Sequence, residues 1–219
     1  ERMRDPAGRS IYSETGSYQL VRIGDTLQTG SRGFMRIELF DWDGDPKHRP
    51  TVVNVANDTR MVFCRFGQNR SPSTLVTLLE GAIRAITRPW TDSSLTIKAA
   101  VRLCYVKGSD VLVSYDPASD ELAPSGQNGP VEYLGACVLE GHMDVTDSNT
   151  GKTVSLTDKQ MVAVIDETMD PVESFSLEDW SGWEELYGVE DTQPLSTEEW
   201  EALIYGGAPT TAPPTTAGA

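Results

Sequence analysis

Apolar and polar residues nearly alternate over residues 95–101, break at Lys107-Gly108-Ser109-Asp110, and resume at Val111. Alternation of period two puts successive side chains on opposite faces of a strand. Residues 95–117 are therefore predicted to be two strands around a tight glycine corner. The same plan recurs on both sides. Residues 75–79 and 82–86 flank Gly81, and residues 131–139 and 142–146 flank Gly141. Further strands are predicted at 18–23, 34–40, 51–55, 60–66, 153–156 and 161–165, with turns at Gly24-Asp25, Thr29-Gly30-Ser31 and Asn149-Thr150-Gly151. No helical period appears before residue 170. Short strands with glycine corners predict an all-β fold: a short β-solenoid, a β-roll or a two-sheet sandwich. Residues 1–17 are polar and read as an extended N-terminal arm, so the β-domain is placed at 18–166.

From Pro171 the pattern changes. Ser176 and Ser196 each precede an acid by three residues, Asp179 and Glu199, as an N-cap precedes the first turn of a helix. Each run then ends in glycine, at Gly188 and Gly206. Residues 167–207 are predicted to be an acidic, Trp-rich segment with two short amphipathic helices, and residues 208–219 an extended Pro/Thr-rich tail. Helices this short need a surface to bury against. Two surfaces are open to them: the end of the β-body or another subunit. The expected contact residues are Trp180, Trp183, Leu186, Tyr187, Trp200, Leu203 and Tyr205.

Charge sharpens this division. Of the 33 acids in the 219-residue chain, 13 lie in residues 160–219, which hold no Lys or Arg. Residues 1–159 keep 20 acids against 18 bases, so no basic face exists for nucleic acid. No apolar run is long enough to cross a membrane as a helix. The chain starts at Glu1 without an apolar leader, as a processed or excised chain would.

Candidate chemistry is sparse. Asp41, Asp43 and Asp45 have the spacing of an oxygen-rich calcium loop, but no bidentate Glu follows, and a solvated turn is the expectation. Asn57-Asp58-Thr59 is a glycosylation sequon. Cys64, Cys104 and Cys137 sit in apolar strands without metal-ligand spacing, either as buried thiols or as one disulfide plus a spare thiol. His142 and Asp144, in Gly-His-Met-Asp-Val, have the form of a zinc-peptidase element. The sole other histidine is His48 and no strand–helix alternation is present, so His142 is expected to be an exposed strand residue after a corner. There is no P-loop, no dinucleotide-binding glycine motif and no nucleophile elbow. No cofactor or metal is predicted, and the chain is expected not to be an enzyme.

The ordered motifs resemble the FecR domain over residues 24–165. Gly24-Asp25 with Thr29-Gly30 is similar to the family's opening. Leu79-Glu80-Gly81 resembles its central strand–Gly–strand. Val106-Lys-Gly-Ser-Asp110 resembles its Arg-Gly-Thr-Asp-Phe corner, and Val138-Leu-Glu-Gly141 its Glu-Gly element. Gln160 matches the closing Gln. Lys107, Ser109, Val111 and Lys159 depart from the family's Arg, Thr, Phe and Gly. The resemblance implies an extracytoplasmic all-β module, extracellular or at the cell surface, with the periplasm as alternative. Regulators of this family carry a cytoplasmic helical segment and a membrane span before the domain, and neither is found here. The leading expectation is therefore a structural protein that self-assembles through its arm and acidic tail, as a homo-oligomer or a surface filament. The alternative is the signalling or ligand-sensing domain of a FecR-type regulator with a protein partner.

Overall fold

The computed structural model describes residues 2–4, 10–12, 21–39, 51–65, 73–87, 94–120 and 129–175. These residues are all-β. In chain order the strands are β1 (Arg2–Arg4), β2 (Ser10–Tyr12), β3 (Thr26–Gln28), β4 (Met35–Leu39), β5 (Thr51–Val55), β6 (Arg60–Arg65), β7 (Ser73–Ile86) and β8 (Ser94–Ala99). They continue with β9 (Arg102–Val106), β10 (Asp110–Ser119), β11 (Val131–Glu140), β12 (His142–Asp147), β13 (Thr153–Thr157), β14 (Gln160–Ile165), β15 (Thr168–Met169) and β16 (Glu173–Ser174).

The 14-residue strand β7 is the axis of the fold. Up to Glu80 it pairs with β6 and, in parallel, with β8. From Gly81 onward it pairs with β5 and β10. Gly81 has φ +97, a backbone that side-chain-bearing residues rarely adopt, and here the strand leaves one set of neighbours for another. Two arms of one sheet result. The first runs β2-β1-β3-β6-β7-β8-β9-β12-β13. The second runs β4-β5-β7-β10-β11-β14, with β15 and β16 along the outer side of β14. The sheet curls as a half-barrel.

Alternation places one face of each arm in a shared core. Phe63, Leu78, Ile97 and Met143 enter it from the first arm, and Val53, Ile83, Val113 and Leu134 from the second. Burying each such side chain contributes about 1.5–3 kcal/mol. A smaller apolar cluster of Ala56, Leu112, Cys137 and Phe175 lies apart from this core, on the outer face of the second arm.

Residues 95–117 differ from the two predicted strands. They hold three, because a hairpin turn at Ala100-Val101 separates β8 from β9 before the corner at Lys107-Gly108-Ser109. Ala100 takes φ +47, at a cost of about 1 kcal/mol, and nothing in Lys-Ala-Ala-Val announces a turn. Residues 75–79 and 82–86 are one continuous strand rather than two. Residues 21–24 are irregular and a turn rather than the end of a strand: Asp25 Oδ2 accepts the Arg22 amide at 2.7 Å, and the Gly24 amide bonds to Phe63 O. Part of the N-terminal arm is in the sheet, since β1 pairs with both β2 and β3. The predicted helices, the Pro/Thr tail and the loop at 41–50 lie outside the described residues.

Candidate functional surface

Three of the places where the chain passes between the arms are glycine corners: Gly81 within β7, Gly108 between β9 and β10, and Gly141 between β11 and β12. A strand that changes sheets leaves backbone groups without ladder partners, and buried ones must be satisfied. Buried hydroxyls do this. Thr59 Oγ1 accepts from Ala82 N at 3.0 Å and donates to Asn57 O at 3.0 Å. Thr59 N in turn donates to Thr29 Oγ1 at 2.9 Å. On the other side, Thr87 Oγ1 accepts from Ser109 N at 2.8 Å, and Ser109 Oγ accepts from His142 N at 2.8 Å while donating to His142 O at 2.6 Å. The sequon hydroxyl of Thr59 is thus a corner strut, 0% exposed.

Beyond the Gly141 corner, β12 alternates. Met143 and Val145 enter the core, while His142 and Asp144 face outward. Register aligns Tyr105, Asp144 and Ser155 across β9, β12 and β13. Asp144 Oδ1 accepts the Ser155 hydroxyl at 2.6 Å and meets His142 Nε2 at 3.0 Å. Tyr105, 46% exposed, completes the strip. In a Ser–His–Asp relay the imidazole stands between hydroxyl and carboxylate. Here the carboxylate stands between the other two, so His142 is not placed to take the Ser155 proton. Among the described residues no group of three His, Cys, Asp or Glu side chains converges as a metal site. His142 is an exposed residue after a corner, as the sequence suggested.

The chemistry of the strip is hydrogen bonding and aromatic contact. It combines an exposed aromatic ring, a hydrogen-bonding imidazole, a carboxylate and a hydroxyl on a rigid face. It lies beside β13, which pairs with β12 alone among the described strands. A strand with one free edge and exposed polar side chains can accept an extended peptide. Its end is closed by its own chain, because Gln160 Oε1 accepts from Thr157 N at 2.9 Å.

A buried charge cluster pins the arms behind this face. Arg102 on β9, its side chain 3% exposed, pairs with Glu132 on β11 of the other arm and approaches Asp147 Oδ2 at 3.6 Å. Hydrogen bonds from the Thr150 amide first, with the Thr150 hydroxyl and Asn149 amide, hold the Asp147 carboxyl below its ordinary range against the effect of burial. Arg84 and Asp110 form a second pair, bidentate at 2.9 and 2.6 Å, between β7 and β10.

Trp180, Trp183, Leu186, Tyr187, Trp200, Leu203 and Tyr205 lie outside the described residues, as do Asp41, Asp43 and Asp45. No disulfide forms: Cys64 is exposed, and Cys104 and Cys137 are buried thiols pushed up to about 12 by desolvation. Tyr105 and Ser155 were not singled out by sequence reasoning. Their relation to Asp144 exists only in the register of three strands.

No protein-family model and no curated protein matches the chain. Two crystal structures, each of a candidate anti-sigma factor from Parabacteroides distasonis ATCC 8503, share its fold. The first aligns with a TM-score of 0.51 at 14% identity, over 72% of this chain and 63% of its own length. The second aligns with a TM-score of 0.50 at 13% identity, over 83% and 74%. The likeness is one of fold.

Proposed function

We propose that this chain is the partner-binding β-domain of a FecR-type envelope regulator, and that its curled sheet is the short β-roll of that family. The fold shared with the two candidate anti-sigma factors carries this reading and favours it over a filament subunit. The motif positions support it. Gly81, Gly108 and Gly141 fall at arm-to-arm corners, and Ser109, buried here, keeps the hydroxyl of the family's Thr. Asp110 anchors Arg84, and Gln160 closes the end of β13. In this role the domain is extracytoplasmic and non-enzymatic, and it acts by binding protein. The strip of Tyr105, His142, Asp144 and Ser155 beside β13 is the surface offered to the partner.

The coding sequence upstream of Glu1 tests the proposal. A helical segment followed by a membrane span supports it, and a signal peptide alone contradicts it. Light scattering separates it from the self-assembling subunit. A regulator domain stays at the 23.9 kDa monomer mass as concentration rises, whereas a filament subunit grows.

A further inference from the structure

Two hydrogen bonds fix which way the backbone of β13 faces. Lys152 O accepts the Asp147 amide at 2.9 Å, so residue 152 turns its backbone toward β12. The Thr157 amide donates to Gln160 Oε1 at 2.9 Å, so residue 157 turns away from β12. Backbone groups alternate in direction along a strand paired on one side, and the two bonds give the same alternation. Val154 and Leu156 are therefore bonded into β12, while Thr153 and Ser155 point their N–H and C=O groups off the end of the sheet. Both residues are exposed. Among the described residues nothing bonds to these backbone groups, because β13 pairs with β12 alone. The alternation of side chains is equally clear. Thr153, Ser155 and Thr157 are exposed on the outer face, Leu156 is 0% exposed, and Val154 packs partly buried against the shared core.

We infer that β13 takes up an extended segment of the partner protein as an added antiparallel strand, held by the N–H and C=O groups of Thr153 and Ser155. This rests on the partner-binding role proposed above. In that pairing two residues of the segment, two apart, exchange both backbone bonds with Thr153 and Ser155. The residue between them faces inward with Val154, beside the core, and is apolar. Its two neighbours face outward among hydroxyls and are polar. The one opposite Ser155 is Lys or Arg, drawn by the carboxylate of Asp144, whose side chain is 39% exposed and which Ser155 already contacts. A second copy of this chain fits the edge less well. Two β13 strands centred on Ser155 would set Thr153 against Thr157, whose amide is already taken by Gln160. Centred on Val154, they would set Lys152, whose ammonium donates to Met169 O at 3.5 Å, against the fully buried Leu156. A charge so placed on an edge strand discourages self-pairing.

Random linear nonapeptides displayed on phage and panned on the full chain supply the probe. The recovered sequences should share the polar–apolar–polar pattern. In a synthetic copy, N-methylation of alternate amides should weaken binding at least about tenfold in one phase and leave it unchanged in the other, since only every second amide faces β13. Ser155→Pro removes the outward amide without touching the β12 ladder, as an edge strand tolerates. It should keep the urea midpoint and lower peptide affinity at least about tenfold. If that variant does not fold, the methylated peptides decide with the unsubstituted chain. Recovery of no peptide overturns the proposal, and so does binding indifferent to the phase of methylation. Where such binding is also lost in Tyr105→Ala, side chains of the strip hold the partner, and the partner-binding reading stands without strand addition. A chain that dimerises on concentration and is released by Ser155→Pro overturns the proposal too, since a second copy is then the occupant. The regulator reading fails separately, on the upstream coding sequence.

Discussion

Ser109 Oγ lies 2.6 Å from the carbonyl oxygen of His142 and 2.8 Å from its amide nitrogen. One hydroxyl thus satisfies both backbone groups of the residue at which the chain crosses from β11 into β12. Thr59 does the same work at Ala82, where β7 crosses between arms. Ser109→Ala removes the partner of the part-buried His142 amide and carbonyl and should cost about 1 kcal/mol. Ser109→Thr keeps the hydroxyl and should cost less. Urea unfolding at constant m-value checks both.

The glycines facing these hydroxyls should be less replaceable still. Gly141 has φ +96, and a Cβ there would stand 2.6 Å from Ser109 Oγ and 2.8 Å from Gly108 O. At Gly81 a Cβ would stand 2.5 Å from Thr59 Cα. Strained backbone and overpacking act together, so alanine at either position should destabilise by about 2–4 kcal/mol. Gly151 is the control. Its φ is +71 but no atom lies within 4 Å of the added Cβ, and Gly151→Ala should cost about 1 kcal/mol.

Arg102 ties β9 and β12 of one arm to β11 of the other. Arg102→Met leaves Glu132 and the 7%-exposed Asp147 side chain without their cation. Loss of one member of a buried charge cluster costs about 3–5 kcal/mol, which should appear as a large fall in thermal midpoint.

The strands and glycine corners were legible because alternation and glycine are local signals. The turn at Ala100-Val101 was not, because it is held by the pairing of β8 with β9 rather than by a turn-forming residue. The outer-face row of Asn54, Arg84, Leu112, Cys137 and Met161 was hidden for a related reason. Its members come from five strands scattered over a hundred positions, and only register aligns them. Asp144 shows the limit at the candidate surface. Its position beside His142 gave it the form of a metal ligand in sequence, while its partner Ser155 arrives from the next strand.

Acid should weaken the fold through Asp147. Its carboxyl is held below the ordinary value of 3.8 in the folded chain, so the unfolded chain binds a proton first as pH falls. The stabilisation is fully present above pH 3.8 and is lost as pH drops through the folded value. Asp147→Asn should lower stability at neutral pH and flatten the acid limb of the stability profile, measured by urea midpoints over a pH series.

Transcript profiling tests the regulator proposal most directly. In the native host, with the coding region for this chain deleted, a small set of transcripts sharing one sigma-factor promoter consensus should change several-fold. An unaltered transcript profile, above all one accompanied by loss of a surface filament, would contradict it.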